Sequence, residues 1–481
     1  MILLALVLAP ALAAALAYVM PSRARGAVLV GTALAHLAAV GWLWVAAGDA
    51  TLGSWVAEDP LGRVILTLVS ALFLSVAHYA VGYLREENPR GGRAFASCLL
   101  VFLAAASLVA VSHHFALLWI GLETTTLAVA PLIYHRHDRR SLEAVWKYLM
   151  LSSVGIAFAL LGVFLLATAQ PSGAAGGRPL ILDDMIANAH ALDPVWLRAA
   201  FVFMLIGFGT KMGLAPLHSW KPDTYGEAPS LVGGLMAGAL TSCAFLGLAR
   251  VLSICFAAQA DAFVRPALIA FGVFSLVIAA AFIIAQGDIK RLLAYSSVEH
   301  MGLLVLGLGL GGVGSYGSVL HAVNNGFAKV MIFLAVGNVV LATGTSVATE
   351  ISGVLRRLPI SGVLLIVGLF AVTGSPPFGM FISEFSIINA ALDGYPWVAA
   401  IVVTLLAIIF VGIAAMILGM VYGAPVMPTP SQQPARSEER TRLIIAPAVL
   451  AIVVLALGLY LPTPLADALS SSAASLGGHA P

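Results

Sequence analysis

Glu123, Lys211, His321, Lys329 and Glu384 all stand inside long apolar runs. A charge at the bilayer midplane costs roughly 2.5–3.5 kcal/mol on insertion scales, so each of these groups needs a partner, water, or a proton it can gain or lose. The chemistry open to such a set is proton transfer. Lys211 lies in Gly207-Phe208-Gly209-Thr210-Lys211-Met212-Gly213-Leu214-Ala215-Pro216. Pro216 has no amide donor and is expected to break the helix just over one turn after the lysine. At membrane depth a break is tolerated only where protein or a water-filled cavity covers the freed carbonyls, and a charge beside one points to an ion site. The competing reading is a lysine snorkelling from a helix end. Against it, the apolar run before Lys211 is long, and Trp220-Lys221-Pro222-Asp223 already supplies an interface.

Glu123 sits mid-run in Leu117-Leu118-Trp119-Ile120-Gly121-Leu122-Glu123-Thr124-Thr125-Thr126. The alternative role for it is an ion pair that merely fixes helix packing. His321, Asn325 and Lys329 follow i, i+4, i+8 spacing and share one helix face over about 12 Å of rise. A polar stripe of that length suits a hydrated proton path, whereas a lone histidine would be read as a core residue. Glu384 follows Thr373-Gly374-Ser375-Pro376-Pro377-Phe378-Gly379, where Pro376 and Pro377 are expected to interrupt a second helix. Its bland alternative is an interface carboxylate. In the stretch from Asp288 to Gly302, Lys290 and Arg291 read as orientation charges. Glu299 and His300 lie roughly two turns deeper and could extend the polar path. His36, His78, His113 and His114 have no identifiable partners and read as packing or interface residues.

These groups need membrane helices to position them, and the composition supplies them. The chain has 481 residues, 61% hydrophobic and 10% charged, with net charge +2. An ordinary soluble globule carries about a quarter charged residues. There is no basic run with interleaved aromatics, so nucleic acid is excluded as a partner. Cys98, Cys243 and Cys255 lack metal-ligand spacing, so no metal or iron–sulfur centre is expected. About fourteen apolar windows of spanning length follow one another, centred near Leu8, Ala35, Ser70, Ala104, Glu123, Gly155, Leu205, Gly238, Ser275, Leu304, Lys329, Leu369, Ile408 and Val453. The fold class is an all-α multi-pass membrane protein in the lipid bilayer. Met1 precedes apolar residues without a basic region, so the start reads as a first membrane helix.

Alternate connections are rich in arginine and lysine, with roughly seventeen basic residues on one side and about five on the other. The rich side is read as cytoplasmic, which places both termini outside. Gln170 to Pro194 reads as an external loop with a short amphipathic piece. Pro425 to Arg436 reads as a flexible internal loop. No room remains after the last span for a long lateral helix. The two proline breaks fall in the seventh and twelfth spans, and that offset suggests two inverted five-helix repeats. The expected organisation is N-terminal spans over 1–93, a first repeat over 94–254, a second over 255–421, and the internal loop with the last span over 422–481.

At these residues the chain resembles the antiporter-like family of proton-translocating membrane subunits. That family includes subunits of respiratory complex I, multi-subunit Na⁺/H⁺ antiporters and energy-converting hydrogenases. The segments Lys211 to Asp223, Asp288 to Gly302, His321 to Lys329 and Pro376 to Glu384 resemble family motifs in family order. Ser297-Val298-Glu299-His300-Met301-Gly302 and Thr373-Gly374-Ser375-Pro376-Pro377-Phe378-Gly379 look more like hydrogenase-4 component F and its formate-hydrogenlyase relatives than complex I subunits. The resemblance implies a fourteen-helix fold in the cytoplasmic membrane. Glu123 and Lys211 would be a Glu–Lys pair, His321 and Lys329 a central axis, and Glu384 a terminal residue. It also implies a subunit without cofactors or a redox reaction of its own, joined to other membrane subunits and a peripheral hydrogenase or dehydrogenase module. One departure, beside the smaller one of Lys221 where an apolar residue is common in the family, is the eighth span, where many relatives carry Lys or His and this chain reads Thr241-Ser242-Cys243. Either Ser242 and water bridge that gap or conduction there is weak. The alternatives are a subunit of a cation/proton antiporter or ion-coupled carbon-uptake assembly, and a structural anchor without conduction.

Overall fold

The computed structural model describes residues 1–46, 51–86, 92–171, 180–424 and 439–479. Asp49, Arg90, part of the Gln170-to-Pro194 stretch and the Pro425-to-Arg436 linker lie outside them, as does the Arg23 side chain.

The described chain is almost wholly helical. It runs α1 (Ile2–Val19), α2 (Ser22–Leu43), α3 (Pro60–Glu86), α4 (Gly92–Val111), α5 (Phe115–Ile133), α6 (Arg139–Thr168), α7 (Leu182–Ala187), α8 (Pro194–Met212), α9 (Trp220–Glu227) and α10 (Ser230–Leu235). It continues through α11 (Thr241–Ala257), α12 (Asp261–Ile283), α13 (Ile289–Leu310), α14 (Val313–Thr343), α15 (Val354–Arg357), α16 (Pro359–Val372), α17 (Gly379–Gly394), α18 (Pro396–Tyr422), α19 (Thr441–Leu459) and α20 (Thr463–Ser475). A π-helical stretch, Met236–Leu240, joins α10 to α11 into one span.

Among the described residues, 13 helices are long and apolar enough to cross a membrane. The remaining expected span comes in two pieces, α16 and α17, neither reaching that length alone. Spanning helices satisfy their own backbone groups, which is why apolar sequence of this length folds this way in lipid. Polar starts fix the ends. Asp138 accepts from the Ser141 amide at 2.7 Å in a capping box, and Asp288 accepts from the Lys290 amide at 2.8 Å. The α10–α11 span and α13 are buried throughout their most apolar windows and form the centre, while less than a third of the corresponding windows of α1, α2, α18 and α19 is buried. The division points expected at 93, 254 and 421 fall inside α4, α11 and α18; the structure's own breaks lie in the connections beside them.

One end of the bundle carries features that hydropathy did not disclose. A two-residue-per-strand hairpin pairs Thr51 with Ala57 and Leu52 with Val56. α20 follows the last span, and the segment after it bridges back from Gly478 to Gly312. Two histidines read as unpartnered are in fact bonded across elements. His36 contacts the Ser70 and Ser107 hydroxyls, each at 2.9 Å. His113 meets Asp59 Oδ1 at 3.3 Å and Asp183 Oδ2 at 3.1 Å. His114 caps α5 by accepting from the Ala116 amide.

Asp59 also accepts from Arg250 Nη2 at 2.7 Å; the Arg250 side chain is 2% exposed and donates further to the carbonyls of Val109, Ala110 and Ser112. Burial disfavours the charged Asp59 carboxylate, but Arg250 and His113 outweigh it and hold the group below the usual carboxylate range. A depressed folded-state value gives a contribution that is complete above the unfolded carboxylate value of about 4 and is lost as pH falls below it. Asp59→Asn is therefore expected to lower the thermal midpoint of the detergent-solubilised protein at neutral pH, by a loss of about 1–3 kcal/mol. It should also flatten the acid dependence of that midpoint. An unchanged acid dependence would refute the assignment.

Candidate proton-transfer axis

α8 stops at Met212 because Gly213 takes φ +78°. Glycine reaches that left-handed conformation without a Cβ penalty. The Gly213 and Leu214 amides both return to the Gly209 carbonyl at 2.8 Å, and the Ala215 amide donates to Ser275 Oγ at 3.0 Å. Pro216 lies in this interruption, and α9 resumes at Trp220. The freed carbonyls have protein donors: Trp220 Nε1 reaches Thr210 O at 2.9 Å, and Lys221 Nζ reaches Met212 O at 2.5 Å. Trp220 and Lys221 are both fully buried. This corrects the interface reading of that tetrapeptide. Of the pair Lys221 and Asp223, only Asp223 sits at the end of the bundle, where it accepts from Lys147 Nζ at 2.8 Å and Arg291 Nη2 at 2.5 Å.

Lys211, on the last turn of α8, is fully buried. Its ammonium donates to Thr126 Oγ1 and to the Tyr148 hydroxyl at 3.2 Å, and lies 5.2 Å from the Tyr148 ring centroid. Thr126 in turn donates to Glu123 Oε2 at 3.2 Å, and Ser153 Oγ donates to Glu123 Oε1 at 3.2 Å. Among the described residues, Glu123 and Lys211 form no direct ion pair within 4.0 Å. A threonine hydroxyl stands between them. Glu123 is only half-buried on this chain.

A second assembly repeats the chemistry. Lys329 of α14, also fully buried, donates to Ser296 Oγ at 2.7 Å, and Ser296 donates to Glu299 Oε2 at 3.2 Å. Both assemblies are a lysine, one hydroxyl and a carboxylate in series. Hydroxyls can accept and donate at once, so each assembly can hand on a proton.

Beyond Glu299, His300 Nδ1 faces His321 Nε2 at 3.2 Å, and His321 Nδ1 meets Ser383 Oγ at 3.0 Å. Glu384, on α17, brings a carboxylate oxygen within 4.8 Å of ring nitrogens of both histidines. Its carboxylate lies against Gly374, which takes φ +62° in the interruption holding Pro376 and Pro377. Asn324 Nδ2 closes that interruption on the Gly379 carbonyl at 2.8 Å. Among the described residues, Glu384 Oε1 and both polar atoms of the Asn325 side chain are buried without a protein partner. Buried groups of this kind are satisfied by water. Two imidazoles and a carboxylate could in principle ligate a metal ion. Here two of the ring nitrogens are directed at each other. That fits proton exchange better than a resident cation.

Ser242 does not reach the central gap through a side-chain bond. Its hydroxyl donates to Gly238 O at 2.6 Å on its own span, as Thr241 does to Ala237 O at 2.6 Å. The residues missed in the sequence were Thr126, Tyr148, Ser153, Ser296, Ser297, Ser383 and the inward-facing Lys221. Two had a usable signal: Thr126 is three residues after Glu123, and Ser296 three before Glu299, the spacing of side-chain neighbours on one helix face.

The chain is similar to known proteins in sequence and in fold. The hydrogenase-4 component F homolog of Methylacidiphilum infernorum (isolate V4) is 31% identical over 441 residues, covering 90% of this chain and 91% of that protein. NADH-quinone oxidoreductase subunit N of Desulforudis audaxviator (strain MP104C) is 29% identical over 407 residues, covering 83% and 79%. The fold matches that of a chain of the membrane-bound sulfane sulfur reductase, an archaeal respiratory membrane complex, with TM-score 0.87 at 22% identity over 99% and 98% of the two chains. The family described as NADH:quinone oxidoreductase/Mrp antiporter, TM, matches residues 112–410, which contain Glu123, Lys211, Glu299, Lys329 and Glu384. With its paired lysine–carboxylate assemblies inside that matched region, the chain belongs to the NADH:quinone oxidoreductase/Mrp antiporter family of membrane subunits.

Proposed function

We propose that this antiporter-like subunit translocates protons across the cytoplasmic membrane as part of a redox-driven complex of hydrogenase type, with electrons and redox centres on partner subunits. The observation that carries the reading is the pair of hydroxyl-bridged lysine–carboxylate assemblies, Glu123–Thr126–Lys211 and Glu299–Ser296–Lys329, joined to the His300–His321–Glu384 cluster. Burying that many ionisable groups in a bilayer protein is costly and is the mark of an ion path. The two glutamates lie on the fifth and tenth spans, and the two interruptions on the seventh and twelfth. The same offset of five supports two inverted repeats, each with its own half-channel. Both termini then lie on the outer side. The hydrogenase name of the first relative favours a hydrogenase or formate-hydrogenlyase module as partner.

The test is purification of the native complex, identification of its subunits, and reconstitution into vesicles carrying a pH-sensitive dye. Acidification or alkalinisation that starts with electron donor and stops with an uncoupler is the expected result. Dye signals that start with a Na⁺ gradient and need no electron donor would instead favour a cation/proton antiporter assembly, a reading kept open by the antiporter members of the family. Absence of both signals in an intact complex would leave a structural anchor.

A further inference from the structure

Lys221 is a buried ammonium that neither lysine–carboxylate assembly uses. It is 0% exposed and, among the described residues, has no carboxylate within 4.0 Å. Its donors go to Met212 O at 2.5 Å, Ser297 Oγ at 2.9 Å and Ser297 O at 3.5 Å. Met212 follows Lys211 directly in the chain, and Ser297 follows Ser296, the hydroxyl that holds Lys329. Lys221 is therefore bonded to the residue that follows Lys211 and to the residue that follows Ser296. The backbone makes room for it. A Cβ on Gly213 would come 2.5 Å from Lys221 Cδ and 3.0 Å from Nζ. In the neighbouring α10–α11 span the Thr241 and Ser242 hydroxyls donate to carbonyls of their own span.

We propose that Lys221 is the proton-exchanging group that links Lys211 to the Lys329 assembly, so that the middle of the axis is carried by α9 and not by the α10–α11 span. The step conserves atoms and electrons. An N–H bond of the Lys211 ammonium breaks, a water or hydroxyl passes the proton, and an N–H bond forms on a neutral Lys221 amine. Lys221 later releases a proton through Ser297 and Ser296 toward Lys329. Hydroxyls serve because each can accept one proton while donating another. α9 also carries Asp223, clamped by Lys147 and Arg291 at the end of the bundle, so a shift of that clamp moves the helix that bears the linking amine.

The competing role is mechanical, since the bond to Met212 O caps a broken helix. The proposal rests on the proton-translocating reading above, and the experiment separates the two. The titratable groups that act on Lys221 are Tyr225 on α9, His218 before it, His300 on α13 and Lys329 on α14. α10 contributes none.

Redox-driven proton translocation by the native complex in vesicles is measured for Lys221→Gln, Lys221→His and Lys211→Ala. Glutamine keeps a donor for Met212 O and Ser297 but cannot exchange a proton at neutral pH. Lys221→Gln is expected to assemble and to lose translocation by roughly a hundredfold, the scale of one acid–base group. Lys221→His is expected to retain transport, with its pH–rate profile moved to lower pH, as a weaker base requires. A mechanical lysine would not move that profile. Wild-type transport in assembled Lys221→Gln, an unmoved profile in Lys221→His, or failure of both variants to assemble each overturns the proposal. If Lys211→Ala is inactive while Lys221→Gln is active, only this inference falls. If Lys211→Ala is fully active as well, the proton-translocating reading falls with it.

Discussion

Glu123→Gln and Lys211→Ala are each expected to reduce proton translocation to background in vesicles, with the complex still assembled. Lys211 has no carboxylate in direct contact; its charge is held through Thr126 and Tyr148. Removing one member of a buried pair costs roughly 3–5 kcal/mol when the survivor stays charged and uncompensated. That cost falls here because Glu123 is half-buried and because Lys211 can shed its proton. Assembly should therefore survive, while the ability to hold and then release a proton does not. Lys211→Arg should fail to restore transport, since arginine scarcely deprotonates. The bridging hydroxyl gives a finer test. Thr126→Ser keeps the relay and should retain most activity; Thr126→Val keeps the shape, removes the hydroxyl and should slow transport. Dye-quench rates in matched vesicles measure all of these. Wild-type rates in assembled Glu123→Gln or Lys211→Ala would refute the mechanism.

Glu384→Gln is expected to have a comparably large effect, at the far end of the axis. The carboxylate lies 6% exposed beside the His300–His321 pair, with Oε1 lacking a protein partner. A glutamine of the same size fills the space but cannot pass on a proton, so translocation should fall to background while assembly persists. Gly374→Ala should disturb the same group from the backbone side. A Cβ there overlaps the Glu384 carboxylate, and the residue's φ of +62° costs a non-glycine residue roughly 1–2 kcal/mol. The carboxylate is the end of a flexible side chain and can give way, so Gly374→Ala should fold and transport slowly. Full transport in Glu384→Gln would remove Glu384 from the path. It would leave the histidine pair as the terminus.

Apolar length alone made this a multi-pass helical membrane protein, and the charges inside the apolar runs marked Glu123, Lys211, His321, Lys329 and Glu384. The reason is energetic. In lipid each uninterrupted helix satisfies its own backbone, so apolar length reads directly as a span, and a charge inside one is too costly to be incidental. Pro216 and the Pro376–Pro377 pair were legible for the same local reason, since proline removes a donor wherever the chain goes afterwards. Which side chains meet between helices depends on the packing of the bundle. Thr126 and Ser296 carry no charge penalty and look like any hydroxyl in an apolar run. Their bridging role appears only when α6 packs against both α5 and α8, and α13 against α14. Lys221 shows the limit most clearly. Beside tryptophan, proline and aspartate it reads as an interface residue, because local sequence resembles the end of a span. The turn at Gly213 redirects α9 back into the bundle, and that change of direction brings the lysine to Met212 O and Ser297. Sequence spacing reports distance along one helix; the meeting of groups on different helices depends on how the broken ends are packed.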